Sequence, residues 1–374
     1  MLLLLLSAGV VPMQLPSFAG YADPLDFFEA SVRHQLRSKR GLISPENVRQ
    51  AVATGSWRSA EGRHIDFDDM RYYHYFGGER ITYDQWKKLP RGVAAKPKTG
   101  EEAYVVSLTS WTKRTEEGTP GVWATIESLM RQTKKPDRII LWLSEEEYPG
   151  GDKELPQTLL DLQRRGLEIK WTPKNTKALK KLLPALEAGI RANIVSVDDD
   201  GVYHGRWLER LCASHKEHLK ALHANVGQYM PVVRGQMSCF QGTGRVYYYE
   251  KGCYKDHWFP EGCGGVLYCY DDSQRTCYGL DWGILDPHML TYGLANDDLL
   301  FYLCRVLAGT PFYLLGYPKG EYLIETYLAA PLCAENIGQG RNNSELRRIL
   351  KDFPEFAKKL GVDINQEQCM PPSG

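Results

Sequence analysis

The sequence predicts an α/β protein, and three observations carry that expectation. From Ala103 onward, short β-branched runs alternate with helix-length segments, turn residues separate the units, and one apolar run ends abruptly in three aspartates. The expected strands are Tyr104–Leu108 (YVVSL), Arg138–Leu143 (RIILWL), Leu167–Trp171 (LEIKW) and Asn193–Val197 (NIVSV). Helices are expected between them, over Thr119–Gln132, Leu155–Arg165 and Thr176–Gly189. Each βα unit is short, and right-handed crossovers would stack the units into one mostly parallel sheet.

The other elements follow in order. Ahead of the α/β region, helices are expected over Asp23–Leu36 and Ser44–Thr54, the second with Ser44 as N-cap and Pro45 in its first turn. Arg91–Gly100 is polar and rich in Gly, Pro and Lys, the composition of a linker. Trp207–Leu222 carries apolar residues at 208, 211, 219 and 222, an amphipathic pattern on which His215 is expected as a packed histidine rather than a ligand. Strand-like pieces at Val246–Tyr249 and Gly265–Tyr270 lie in a Tyr- and Cys-rich stretch, and Ser344–Leu360 forms a last helix. The expected organisation is therefore a mainly helical N-terminal extension over 1–100, an α/β domain over 101–320, and a C-terminal helix and tail over 321–374.

Composition sets limits on function. The 374 residues suffice for a sizeable core, and 46 basic residues cancel 46 acidic ones. Bulk attraction to nucleic acid or to an anionic membrane is not expected. Nine cysteines contain no CxxC pair, which disfavours a zinc ribbon or a thioredoxin motif. The apolar start MLLLLLSAGVV lacks a basic flank and is too short to span a bilayer, so no transmembrane segment is expected. Reduced cysteines in a cytoplasmic protein are the expectation, with membrane association left open and the apolar start read as a buried or partner-facing segment or as a secretion signal. The secretory lumen is the alternative, and only there would the sequon Asn342-Asn343-Ser344 matter.

Several constellations could carry chemistry. Asp198, Asp199 and Asp200 fall at the C-terminal end of a buried strand, where open α/β sheets build ligand sites. Adjacent carboxylates repel one another unless water, basic groups or a cation surround them, and Mg²⁺ or Mn²⁺ prefers such oxygen donors. A solvated turn is the alternative. The segment Ser107-Leu108-Thr109-Ser110-Trp111-Thr112-Lys113-Arg114 offers hydroxyls, an aromatic plane and two cations after the first strand, as a nucleotide would need. Lys177, Lys180 and Lys181 at i, i+3 and i+4 would share one helix face near a helix N-terminus and attract a diphosphate, or form an ordinary exposed lysine face.

Two later segments add to this. Gly262, Gly264 and Gly265 precede an apolar strand and would let backbone approach a ligand or simply make a hairpin turn, and Asp256-His257-Trp258 before them adds a possible stacking surface. Asn296 reads as an N-cap with Asp297 and Asp298 in the first helical turn, where the helix dipole favours ionised carboxylates. An ionised carboxylate is what a general base needs, although capping alone would leave the same residues.

In series, VVSLTSWTKR, SLMRQTKKPDRIILWLS, KLLPAL, IVSVDDDGVY, GCGGVLY and NDDLLFYLCRVLAG resemble a glycosyltransferase of the GT-A fold related to family 2, from Tyr104 to about Gly316. The resemblance implies a Rossmann-like nucleotide-sugar-binding domain and transfer from a UDP-sugar or GDP-sugar to a glycan or polysaccharide acceptor. It implies Mn²⁺ or Mg²⁺ held by Asp200 and Asp198, with Asp198 and Asp199 near the nucleotide and Ser107, Thr109, Arg114 and Lys180 lining it. Gly264 and Gly265 would lie near the sugar, and Asp297 or Asp298 would serve as the base of an inverting attack. A glycoside hydrolase, which also uses paired carboxylates, and a non-catalytic carbohydrate-binding relative are the alternatives.

Overall fold

The computed structural model describes residues 92–94, 103–115, 121–203, 205–238, 251–273, 276–277, 279–280, 286–294, 296–316 and 340–366, plus the backbone of short strands at 56–58, 64–66, 74–76, 79–81, 245–247 and 324–325. The helices expected at Asp23–Leu36 and Ser44–Thr54, the apolar start and most of the proposed linker lie outside those residues.

The centre is one eight-stranded sheet. Its first half is built by β1 (Tyr104–Thr109), β2 (Arg138–Ser144), β3 (Leu167–Thr172) and β4 (Asn193–Ser196), all within two residues of the expected bounds. Helix α1 (Gly121–Met130) connects β1 to β2, and α2 (Trp207–Glu217) follows β4. Next come β5 (Leu222–Ala224), β6 (Gly227–Tyr229), β7 (Gly252–Tyr254), β8 (Trp258–Pro260) and β9 (Val266–Tyr268). Helices α3 (Pro287–Gly293) and α4 (Asp297–Ala308) lead to β10 (Phe312–Leu314), and α5 (Arg341–Asp352) and α6 (Pro354–Lys359) close the described chain.

The strand order is β7-β10-β5-β9-β4-β1-β2-β3. Strands β1 to β4 are mutually parallel, β9 runs antiparallel to β4 and to β5, and β10 is parallel to β5 but antiparallel to edge strand β7. The sheet is thus mixed but mostly parallel. From β1 the chain moves outward through β2 and β3, then returns to place β4 on the other side of β1. Ligands of open α/β sheets bind outside the carboxyl ends of the strands at such a reversal.

Alternation along β1 divides the core. Val105 faces a cluster with Ile140, Ile194, Leu300, Leu303, Leu346 and Phe356, while Tyr104, Val106 and Leu108 face a second with Ile126, Leu129, Trp207 and Leu211. Helices α4 to α6 therefore cover one sheet face and α1 and α2 the other. No helix among the described residues is long and apolar enough to cross a membrane.

Several helices are shorter than expected. The Leu155–Arg165 segment is one α-turn, Gln157–Leu160, followed by a 3₁₀ stretch that ends at Gly166 with φ 104°. The Thr176–Gly189 segment is a 3₁₀ turn at Lys177–Lys181 and a short helix at Leu183–Glu187. Lys177 has φ 53°, and Pro184 lacks the N–H that a continuous helix would need, so the three lysines do not share one face. Trp207–Leu222 stops at Glu217 because Leu222 enters β5, leaving Leu219 exposed. His215 is buried and hydrogen-bonded to the Tyr104 hydroxyl at 2.9 Å, as a packed histidine should be. The last helix breaks at Phe353 before Pro354. Within it, Asn342 of the sequon is buried and accepts a hydrogen bond from Asn296 at 2.9 Å, so the folded chain hides that amide.

Candidate active site

The aspartate triplet leaves β4 at the carboxyl edge of the sheet, directly across from the end of β1, since Ser196 pairs with Ser107. Because β9 is antiparallel, its first residue Val266 also pairs with Ser196, and the glycine loop before it arrives at the same edge. Helix α4 presents its N-terminus there, with Asn296 capping it by accepting the Leu299 N–H at 3.3 Å. Long-range strand pairing thus brings together the segments that sequence spacing held far apart.

The three aspartates have different partners. Asp199 is buried, accepts a 2.5 Å hydrogen bond from Ser110 Oγ and is ion-paired with Arg114 Nη1. Asp200 is one-quarter exposed and lies 3.1 Å from Arg114 Nη2. Burial works against the Arg114 charge, and Asp199 and Asp200 more than offset it, so the guanidinium is held protonated above its ordinary range. Asp198, one-third exposed, lies 2.8 Å from Lys181 Nζ.

Lys181 joins the two acidic groups. Its ammonium, 3% exposed, also stands 2.7 Å from Asp297 Oδ2 and 3.6 Å from Asp298 Oδ1. Burial opposes its charge, but Asp198, Asp297 and Asp298 override that and raise its pKa well above the ordinary lysine value. Lys180 points elsewhere, to Glu147 at 2.7 Å and Asn175 at 2.6 Å, and is buried there. Lys177 is exposed. The lysine nearest the aspartates is therefore Lys181 rather than the expected Lys180.

The glycine loop closes the site from the β9 side. The Gly262 N–H donates to Asp298 Oδ2 at 3.0 Å, and the Gly264 carbonyl accepts from Trp207 Nε1 at 2.8 Å and Asn225 Nδ2 at 3.2 Å. Gly265 has φ 80°, and a Cβ there would lie 2.4 Å from Trp207, so the glycine is required on both counts. The Tyr203 hydroxyl accepts from the Asp198 N–H at 3.2 Å and donates to the Cys263 carbonyl at 3.1 Å, tying the aspartate turn to the loop. Burial, reinforced by Asp298 and Asp198, pushes the Glu261 carboxyl up to about 8.

The β1 end is more structural than expected. Ser107 is fully buried and accepts from Trp142 Nε1 at 3.0 Å, while Thr109 Oγ1 donates to the Trp142 carbonyl at 2.8 Å. Ser110 and Arg114 reach the aspartates directly, and Trp111 is partly exposed with Lys113 Nζ 5.3 Å from its ring centroid. An aromatic group lies on the strand that feeds the glycine loop, where Trp258 stacks on Tyr254 at 4.0 Å and leans on Tyr229 at 5.5 Å. Buried Arg305 fixes that turn by donating to the Trp258 carbonyl at 2.9 Å and the Lys255 carbonyl at 3.4 Å.

The donor chemistry suits a hard divalent cation, since Asp198, Asp200, Asp297, Asp298 and Glu261 all offer oxygens around an excess of acid. As arranged, however, Asp198, Asp297 and Asp298 close on Lys181 and Asp200 on Arg114. Among the described residues no group of three His, Cys, Asp or Glu side chains is set to hold a metal ion.

No family model and no curated protein sequence matches the chain. Among solved structures it is distantly similar to a mannosyltransferase from Pyrobaculum calidifontis in complex with GDP-Man and Mn²⁺, at 12% identity over 75% of this chain and 74% of that one, TM-score 0.41. It is also similar to S. aureus TarS at 13% identity over 69% of this chain, TM-score 0.40, and spans 41% of that protein's length. A 4-diphosphocytidyl-2C-methyl-D-erythritol synthase shares 12% identity over 66% of this chain and 98% of its own, TM-score 0.36. Likeness this distant assigns no residue a role, and the functional reading rests on the geometry above.

Proposed function

We propose that this protein is a glycosyltransferase that moves a sugar from a nucleoside-diphosphate donor to a glycan or polysaccharide acceptor, with inversion and with a divalent cation. The observation that carries this reading is the convergence, at the strand-order reversal of a mostly parallel sheet, of the β1 end, the aspartate turn and the acidic N-terminus of α4.

The residues divide the work as follows. Trp111 offers a plane for the base, and the turn around Ser110 and Arg114 holds Asp199 and Asp200 in place. Asp198 and Asp200 would hold Mn²⁺ or Mg²⁺, which when bound neutralises the charge that builds on the diphosphate leaving group. Asp298 is oriented by the Gly262 N–H and is the general base. As the acceptor hydroxyl oxygen forms its bond to the anomeric carbon, its proton passes to the Asp298 carboxylate. The bond from that carbon to the diphosphate oxygen breaks on the opposite face, and the electron pair leaves with the nucleoside diphosphate.

Gly264 and Gly265 pack their backbone against Val226 and Trp207, which holds the loop so that Gly262 meets Asp298. The Tyr229, Tyr254 and Trp258 rings, which meet around β8 where it runs into Glu261, suit the apolar face of an acceptor pyranose.

Screening nucleotide sugars for release of their nucleoside diphosphate tests this assignment. One or a few UDP- or GDP-sugars should be turned over in the presence of Mn²⁺, with hydrolysis by water serving as the slow surrogate for transfer. Absence of turnover for every UDP- and GDP-sugar, alongside cleavage of a preformed glycan, would instead mark a hydrolase.

A further inference from the structure

Lys181 sits where sequence alone would not put a charge. Leu179, Leu182 and Leu183 around it are all buried, and a lysine enclosed this way must find anionic partners. Its ammonium reaches three carboxylates from two distant parts of the chain, Asp198 after β4 and Asp297 and Asp298 at the start of α4. The enclosure is tight on the remaining side. A Cβ added to Gly262 would fall 2.6 Å from Asp298 Oδ1 and 2.8 Å from Lys181 Nζ, so backbone packs directly on the ion pair.

A positive point charge among carboxylate oxygens is also what a divalent cation would be. The two oppose each other, because an ammonium that donates to Asp198 at 2.8 Å and stands 2.7 Å from Asp297 puts a like charge beside any cation those carboxylates hold. We propose that Lys181 is a built-in counter-ion of the site. Its ammonium locks Asp198 to the Asp297–Asp298 pair and keeps divalent-cation affinity low until a nucleoside diphosphate supplies further oxygens. The inference rests on the glycosyltransferase reading and adds to it a positioning residue that sets the order of assembly, nucleotide and cation together rather than cation first.

The arrangement also explains how several acidic groups coexist in a partly buried pocket before any ligand arrives. Arg114 offsets part of the charge of Asp199 and Asp200, and Lys181 part of that of Asp198, Asp297 and Asp298, so each acidic group already has a cation beside it. A cation that enters there meets the Lys181 charge at close range, which weakens its binding.

The test is Mn²⁺ binding to the full chain without nucleotide, followed by electron paramagnetic resonance of the free ion, for the wild type, Lys181→Met and Lys181→Arg. Removing one positive charge in contact with the ligating oxygens should tighten Mn²⁺ binding by at least about tenfold in Lys181→Met. Lys181→Arg, which keeps the charge, should stay near the wild-type affinity. A structural role alone would loosen the site and weaken binding, so a tighter Mn²⁺ complex separates the two.

If Lys181→Met does not fold in chelator, Lys181→Gln, which can still donate toward Asp198 and Asp297, carries the same comparison. A folded neutral variant with unchanged or weaker Mn²⁺ affinity overturns the inference, as does an equal gain in Lys181→Arg. Parallel titration with UDP and GDP keeps the two proposals apart. Nucleotide binding that is intact while Mn²⁺ affinity ignores residue 181 sinks the counter-ion alone, whereas no nucleotide binding in any form sinks the transferase itself.

Discussion

If the proposed transferase reading holds, replacing Asp298 by asparagine should lower sugar transfer by roughly 10²–10⁴-fold with little change in nucleotide affinity, the loss expected when a general base is removed. Asparagine is nearly the same size and can still accept the Gly262 N–H, which now fixes Asp298 Oδ2 at 3.0 Å, so the loop should keep its position. What disappears is the ability to take a proton. Burial pushes the Asp298 carboxyl up to about 7; Asp297 and Asp198 add to the rise, while Lys181 and the Gly262 N–H oppose it.

A base must be ionised to act, so kcat/KM should climb with pH and level off above about 7. That limb should flatten in Asp298→Asn. A pH–rate profile for wild type and variant checks both points, and an Asp298→Asn enzyme with near-normal kcat would move the base elsewhere, first to Asp297.

Truncating Arg114 to alanine costs about 3–5 kcal/mol of stability, because it strips the cation from a carboxylate that the fold has already buried. Both side chains of the Arg114–Asp199 pair are 7% exposed, so water cannot replace what is lost. Ser110 would remain as a neutral donor to Asp199, and Asp200 would lose its contact at 3.1 Å. Lysine should recover only part of the loss, since one ammonium cannot make the guanidinium's two-pronged contact with both aspartates. Denaturant unfolding of Arg114→Ala and Arg114→Lys measures this, and an Arg114→Ala chain as stable as wild type would mean that the pair is not closed in solution.

Much of the sheet was legible in the sequence. Strands β1, β2 and β4 lie within two residues of expectation because each is a compact, buried apolar run, and the half-buried β3 because its apolar residues alternate with polar ones. Helix lengths were less legible. The periodicity of 176–189 fits a helix, but the positive φ at Lys177 and the missing N–H of Pro184 break it into shorter turns. Strand β9 lies within the strand-like piece expected at Gly265–Tyr270, but its reversed direction and the edge strand β7 have no local signal, because pairing is a long-range property.

The site divides the same way. The aspartate triplet and the Asn296-Asp297-Asp298 cap stood out, and the structure brings both to the same ammonium. Ser107 looked like a ligand residue and is an interior hydrogen-bond acceptor for Trp142, a partner 35 residues away. Lys181 was placed with its neighbours on a diphosphate-binding face. The signal that would have singled it out is local, a lysine flanked by Leu179, Leu182 and Leu183 that the fold can bury only against acids. The Tyr203 link between the aspartate turn and Cys263 spans 60 residues and had no local signal at all.

Nucleotide binding tests the central claim most directly. Calorimetric titration of the full chain with UDP and with GDP, each with and without Mn²⁺, should show one nucleotide binding and Mn²⁺ strengthening it by tenfold or more. The strengthening should vanish in Asp200→Ala. Failure of both nucleotides to bind, with or without the cation, would contradict a nucleotide-sugar transferase, and an Asp200→Ala chain that responds to Mn²⁺ as wild type does would remove Asp200 from the metal site.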